Sequence, residues 1–163
     1  MLTYYGYSID EKELRAVNLI GVLCWGLIGD VFMRVPIIEA LQRRFPQARI
    51  TVIVEPSGYD VLINHPACNQ IITLAHKRRI SWRYWQHLVS MVYKLRCQRF
   101  DLFVNLYSGG SSTTVTRLIN ARIRLGFDHT YALRSSNNLL VKTPSFCQHW
   151  SKALGAKLLP LGI

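Results

Sequence analysis

The longest mostly apolar stretch of the chain covers residues 17–29, and its first part, residues 17–24, has the length of a strand. Apolar side chains at nearly every position are typical of a strand that is covered on both faces. Gly26, Gly29 and Asp30 follow this strand, and beyond Asp30 the apolar residues recur at helical spacing until a proline ends them. The pattern predicts a buried strand that turns sharply into a helix over 30–45.

The remaining segments repeat this order of strand and helix. Strands are predicted at 49–54, 69–74, 100–106, 121–127 and, as a short one, 139–141. Helices are predicted near residue 15 with a capping box at Ser8 and Glu11, at 59–64, at 80–98, from a Gly/Ser turn at 107–112 through 120, and at 146–159. The alternation predicts an α/β fold with a Rossmann-like parallel sheet and helices on both faces. Residues 1–15 are an N-terminal extension of the domain at 16–163.

Composition adds few constraints to this fold. A chain of 163 residues, half of them hydrophobic, can close a single core. No stretch is long enough for a membrane span and no signal peptide is evident, so we expect a cytoplasmic protein. The four cysteines form no C-x-x-C pair and the five histidines lack ligand spacing. We therefore expect reduced thiols, no metal site and no cofactor.

Charge is distributed unevenly along the chain, whose net charge is +11. Residues 61–163 hold fourteen of the basic residues but only two of the nine acids. This surplus favours a polyanionic partner, which could be nucleic acid, an anionic membrane surface or a phosphorylated substrate.

The most basic aromatic stretch contains Lys77, Arg78, Arg79 and Arg83, interleaved with tryptophan and tyrosine. Cations and indole rings together suit a membrane interface, where headgroups attract the charges. A solvated helix face over an apolar core explains the same pattern equally well.

Candidate chemistry lies in two turns. Asp30, at the start of a helix beyond a strand, is either a general base in a crevice or an N-cap. Gly26 and Gly29 permit either a ligand approach or an ordinary tight turn. Ser111 and Ser112 lie at a second helix N-terminus, where they either bind a phosphate or sugar hydroxyl or cap the helix.

The order of these landmarks resembles the N-terminal domain of glycosyltransferase family 9, the ADP-heptose:lipopolysaccharide heptosyltransferases. The resemblance rests on the strand, the Gly-x-x-Gly-Asp-Val turn of residues 26–31, Pro36, the Arg-Arg-Phe-Pro of residues 43–46, and the later landmarks as far as the Leu-Gly-Ile of residues 161–163. It implies the N-terminal half of a GT-B glycosyltransferase, with Asp30 as the base. The usual basic residue at the position of Cys24 is absent, as is the usual acid at Asn105.

The resemblance further implies transfer of a heptose from ADP-heptose to a phosphorylated lipopolysaccharide-core acceptor. In the family a second domain binds the nucleotide sugar, and we expect residues 1–163 to lack it and to be inactive alone. The location implied is peripheral at the inner membrane, on an anionic surface, with no nucleic-acid partner. The alternative is a non-catalytic basic module that binds nucleic acid or an anionic membrane.

Overall fold

The computed structural model of the protein describes residues 4–6, 10–74, 82–107, 110–127, 139–141 and 158–163. The strands within these ranges are β1 (Tyr4–Gly6), β2 (Leu19–Cys24), β3 (Arg49–Val54), β4 (Gln70–Thr73), β5 (Phe100–Asn105), β6 (Ala121–Phe127) and β7 (Leu139–Val141). The helices are α1 (Glu11–Arg15), α2 (Ile28–Arg44), α3 (Tyr59–Leu62), α4 (Trp82–Gln98) and α5 (Gly110–Leu118), with 3₁₀ turns at Pro56–Gly58 and Leu159–Leu161.

All these strands form one sheet in the order β1-β7-β6-β5-β2-β3-β4. Every neighbouring pair from β7 to β4 is parallel, which confirms the predicted Rossmann-like α/β fold. Strand β1 is the exception, because it pairs antiparallel with β7. Residues 4–6, which we assigned to an N-terminal extension, therefore belong to an edge of the same sheet.

Side chains of β2 alternate between two apolar layers. Ile20, Val22 and Cys24 pack with buried residues of α1, α2 and α3. Leu23 packs on the opposite face with buried residues of α4 and α5. The sheet is covered on both faces, as its continuous apolar strands predict.

A glycine at the centre of the sheet makes room for an aromatic ring. Gly21 of β2 lies opposite Phe103 of β5, and a Cβ atom added to Gly21 would lie 2.5 Å from Cδ2 of that ring. It would also lie 3.0 Å from the ring of Phe100. Both phenylalanines are buried, so neither ring can move aside into solvent.

Two predicted helix starts are corrected by the structure. Helix α2 begins at Ile28, earlier than predicted, so Asp30 is its third residue and not its N-cap. Helix α1 begins after Asp10, whose N–H donates to Glu13 Oε2 over 3.4 Å. The predicted cap at Ser8 and Glu11 is therefore wrong as placed; Ser8 itself lies outside the described residues, as does most of the predicted helix at 146–159.

Polar side chains connect segments that lie far apart in the chain. Arg44 of α2 donates to the carbonyl of Leu161 over 2.9 Å and pairs with Glu11 of α1 at 3.0 Å. Asp101 of β5 accepts hydrogen bonds from the N–H groups of Asn18 and Leu19, which aligns the start of β2 with its neighbour.

We expect Gly21→Ala to lower the free energy of unfolding by about 1–3 kcal/mol, since the added methyl group overfills a packed core. Gly29→Ala is the matched control, because a Cβ at Gly29 would meet no atom within 4 Å and alanine is the better helix former. Urea unfolding followed by circular dichroism measures both variants. Equal free energies of unfolding for the two variants would show that the packing of the Phe103 ring does not require glycine at position 21.

Candidate functional site

The centre of the sheet contains a change of chain direction. From β2 the chain continues to β3 on one side, whereas β5, on the other side of β2, continues to β6. The loops that leave β2 and β5 therefore diverge at the carboxyl ends of these strands. In open α/β sheets this divergence creates the crevice in which ligands bind.

The two loops are held together at the base of this crevice. The N–H of Leu106 donates to the carbonyl of Leu23 over 3.0 Å, which extends the pairing of β5 with β2 by one bond. The rings of Trp25 and Tyr107 then meet edge to face, with centroids 6.0 Å apart and an interplanar angle of 74°. Trp25 is buried and Tyr107 half-buried, so this aromatic pair packs the two loops together where they leave the sheet.

The turn between β2 and α2 requires glycine at one of its two candidate positions. Gly26 has φ 137°, and a Cβ atom there would lie 2.6 Å from Oδ2 of Asp30. Any other residue would be strained and would displace the carboxylate. Gly29 is different, because it is an exposed residue of the first helical turn with open space around it.

Asp30 uses one carboxylate oxygen to hold this turn. Oδ2 accepts the N–H of Leu27 over 3.0 Å, as the third residue of a helix does in a capping box. Among the described residues none donates to Oδ1, and the side chain is exposed. The cap and the predicted base are thus compatible, since each needs a different oxygen.

Exposed apolar residues lie close to Asp30 in the sequence, in the same turn and first part of α2. Leu27, Ile28 and Phe32 are 62%, 58% and 69% exposed. Several exposed apolar residues in one short segment are typical of a surface that a ligand or a second domain covers.

Arg34 is a residue of this site that the sequence analysis missed. It is 4% exposed, on the α2 stripe that faces the sheet, and its Nη1 donates to the carbonyl of Trp25. Burial raises the pKa of the Cys24 thiol to about 11, although the charge of the Arg34 guanidinium and a hydrogen bond from it lower that pKa; the charge of Asp30 also raises it. The signal in the sequence is a charged residue four positions after Asp30, among the apolar residues of the predicted helix.

Beneath the second turn lies a buried polar network. Asn105 Nδ2 donates to Ser112 Oγ and to Thr116 Oγ1, each over 3.2 Å, and Asn105 Oδ1 accepts the N–H of Tyr107 over 3.0 Å. The hydroxyl groups donate in turn to the carbonyls of Tyr107 and Ser112. Ser112 is therefore a buried member of the network, whereas the side chain of Ser111 lies outside the described residues.

The basic stretch is described only in part. Lys77, Arg78 and Arg79 lie outside the described residues, as does the side chain of Arg83. On the rest of α4 an apolar stripe faces solvent, with Trp82 75%, Val89 64% and Tyr93 68% exposed. A groove of about 550 Å³ follows this stripe, and a second of about 360 Å³ runs between α4 and α5.

The described residues bear in part on the cysteines, on metal binding and on membrane-spanning helices. Cys24, Cys68 and Cys97 are free thiols, and Cys147 lies outside the described residues. No cluster of three His, Cys, Asp or Glu side chains that could hold a metal ion occurs in the described ranges. Every helix in these ranges is too short or too polar to span a bilayer.

Solved structures define the class to which this fold belongs. A glycosyl transferase of family 9 from Veillonella parvula superposes with a TM-score of 0.78 at 19% identity, over 97% of this chain and 43% of its own. The E. coli heptosyltransferase WaaC with ADP gives 0.76 at 18% identity, over 88% of this chain and 48% of its own. The chain therefore has the fold of one part of the glycosyltransferase family 9 structures.

Sequence comparison is more specific. No protein-family model matches the chain. Lipopolysaccharide heptosyltransferase 3 of Escherichia coli is 26% identical over 101 residues, which are 62% of this chain and 30% of that protein. The strain K12 protein of the same name is 23% identical over 97 residues. These matches confirm the resemblance to heptosyltransferases, and the matched region spans about a third of the curated relatives.

We expect Asn105→Asp to destabilise the protein by about 1–3 kcal/mol at pH 7. The hydroxyl groups of Ser112 and Thr116 already donate their protons to backbone carbonyls, and a carboxylate has no N–H groups to donate to these hydroxyl oxygens. Burial raises the pKa of the new carboxyl group in the folded state, so the folded state holds the proton more tightly than the unfolded state does. The loss of stability therefore grows as pH rises above about 4.

Asn69→Asp is the matched control for this substitution. Asn69 is exposed and its Oδ1 accepts the N–H of Ile50 over 2.7 Å, a bond that a carboxylate retains. Urea unfolding at pH 5 and pH 8 measures both variants. If the free energy of unfolding of the Asn105 variant does not fall as the pH rises, the result would contradict the role of the Asn105 amide as a donor.

Proposed function

We propose that the chain is the acceptor-side domain of a heptosyltransferase of lipopolysaccharide synthesis, with Asp30 as the general base. The observation that carries this proposal is the exposed carboxylate at the change of chain direction, in a fold shared with family 9 glycosyltransferases. The relatives named by sequence are lipopolysaccharide heptosyltransferases, which favours a heptose as the sugar transferred.

The geometry of Asp30 suits the chemistry of such a transfer. An acceptor hydroxyl group in the crevice attacks the anomeric carbon of ADP-heptose, and the bond from that carbon to the diphosphate breaks. The hydroxyl proton passes to Asp30 Oδ1, while ADP leaves with the bonding electron pair. Because Oδ2 is bound to the N–H of Leu27, the carboxylate is already oriented before the acceptor arrives.

The donor side of the proposed reaction is assigned to a second domain. The match covers 43% and 48% of the two structural relatives, so more than half of each lies outside it. One solved structure of WaaC contains ADP-2-deoxy-2-fluoro heptose, an analogue of the donor. We therefore propose that residues 1–163 alone transfer little or no heptose, and that a donor-binding partner domain covers the apolar residues around Asp30.

A fusion of residues 1–163 to the unmatched half of WaaC tests whether Asp30 acts as the general base. We expect acceptor-dependent release of ADP from the fusion and none above background from residues 1–163 alone. Asp30→Asn should lower kcat by about a hundredfold or more with little change in KM, because the base acts in the transition state. Asp60→Asn, at an exposed aspartate of α3, is the control and should stay within about twofold. Equal activity of the two variants would contradict the proposal.

We also propose that α4 contacts an anionic membrane surface, which would bring the domain to a lipid-anchored acceptor. The helix sequence contains no Asp or Glu, and Lys94 and Arg96 are exposed beside the apolar stripe of Trp82, Val89 and Tyr93. Apolar rings beside cations favour the boundary between headgroups and acyl chains.

Vesicles of phosphatidylglycerol and phosphatidylethanolamine should bind the chain in a sedimentation assay, and vesicles of phosphatidylcholine should not. Trp82→Ser should weaken binding about tenfold, since burial of an aromatic ring contributes about 1.5–3 kcal/mol. Phe32→Ser, which removes an equally exposed ring from the Asp30 site, is the control. Steeply salt-dependent binding of duplex DNA, with no preference for anionic vesicles, would instead support the non-catalytic nucleic-acid module.

A further inference from the structure

Arg34 is a buried cation without an anionic partner among the described residues. Its side chain is 4% exposed, and no described carboxylate lies within 4.0 Å of the guanidinium. Its Nε–H has no acceptor in the described part of the chain. An arginine side chain keeps its charge in proteins, so this group has been removed from water with only partial compensation.

The described groups that contact the Arg34 guanidinium are neutral, and Asp30, one turn earlier on the same face of the helix, forms no ion pair with it within 4.0 Å. Nη1 donates to the carbonyl of Trp25, the residue that opens the turn. The Cys24 thiol is a further neighbour, and since burial raises its pKa to about 11 it carries no negative charge at neutral pH. Replacing such a buried charge with an apolar side chain is often neutral or stabilising. Stability alone therefore does not explain an arginine at this position.

The place of Arg34 in the fold supplies an explanation. Side chains of a helix lean towards its N-terminus, and the Trp25 contact puts the guanidinium under the turn that leads into α2. The first N–H groups of this 17-residue helix point at the same turn, where the helix dipole also favours negative charge. A cation and a helix N-terminus thus converge at the carboxyl end of β2.

We propose that Arg34 and the first backbone N–H groups of α2 form a binding site for a phosphate or diphosphate group. A phosphate oxygen takes up the Nε–H or replaces the Trp25 carbonyl as the acceptor of Nη1. Which molecule carries the phosphate rests on the proposed function, whose donor is a nucleoside diphosphate sugar and whose acceptor is phosphorylated. Binding of the phosphate group itself does not rest on it.

The experiment titrates the 163-residue chain with inorganic pyrophosphate at constant ionic strength, by calorimetry and by ¹⁵N chemical shifts of Gly26 and Gly29. We expect saturable binding with shifts at these two amides. Arg34→Met, which keeps the length of the stem and removes the charge, should raise the Kd at least about tenfold.

Arg43→Met is the matched control, because it removes the same charge from an exposed position of the same helix, where Arg43 pairs with Glu39 at 3.8 Å. We expect its Kd to stay within about twofold of the unchanged chain. If both substitutions weaken binding equally, the overall positive charge of the protein explains the binding, and the proposal is overturned. Absence of pyrophosphate binding by the unchanged chain would also overturn it.

Thermal unfolding separates this role from a purely structural one. Pyrophosphate should raise the Tm of the unchanged chain and not that of Arg34→Met, whose own Tm should equal or exceed that of the unchanged chain. A lower Tm with undiminished pyrophosphate binding would mean that Arg34 only holds the turn.

Arg34→Lys covers the case in which the methionine variant fails to fold. Lysine keeps the charge but loses the fork of donors, so its Kd should lie between those of the unchanged chain and a chain without the charge. A lysine variant that binds pyrophosphate as tightly as the unchanged chain would count against the guanidinium geometry. Failure of heptosyl transfer with pyrophosphate binding intact would contradict only the proposed function.

Discussion

The pairing of β2 with β5 is the interaction on which the rest of the structure depends. These strands lie side by side from Ile20 opposite Leu102 to Leu23 opposite Asn105, although about eighty residues separate them in the chain. Their pairing places the turn that holds Asp30 beside the network under α5. Without it the two turns would belong to separate βαβ units, and no common crevice would exist.

Two glycines make room for close contacts in this part of the structure. Gly21 accommodates the Phe103 ring within the sheet, and Gly26 accommodates the Asp30 carboxylate at its edge. At each position a side chain of another residue occupies the space that a Cβ atom would fill. The same residue type therefore serves packing in one place and the candidate chemistry in the other, and only the positive φ of Gly26 adds a backbone requirement.

Local patterns predicted the central strands and the Gly-Asp turn, because continuous apolar runs and glycine positions carry that information in the sequence itself. Contacts between distant segments were not predictable in this way. The meeting of Trp25 with Tyr107 depends on strand order, and β1 has only three residues, which pair with an equally short β7. Arg34 was missed because the helical pattern tolerates one charge on an apolar stripe, and only the sheet shows that this stripe is buried.

The two charges of the first turns of α2 have opposite environments for a physical reason. Asp30 is exposed in the first turn of the helix, where hydration lowers the cost of its charge, and its bond to the Leu27 N–H fixes its orientation. Arg34 lies one turn later on the same face of the helix but is buried, and there its charge interacts more strongly with any anion that reaches it. A substrate with both a hydroxyl and a phosphate group would therefore find an acceptor for the proton and a donor for the phosphate at different depths of one turn.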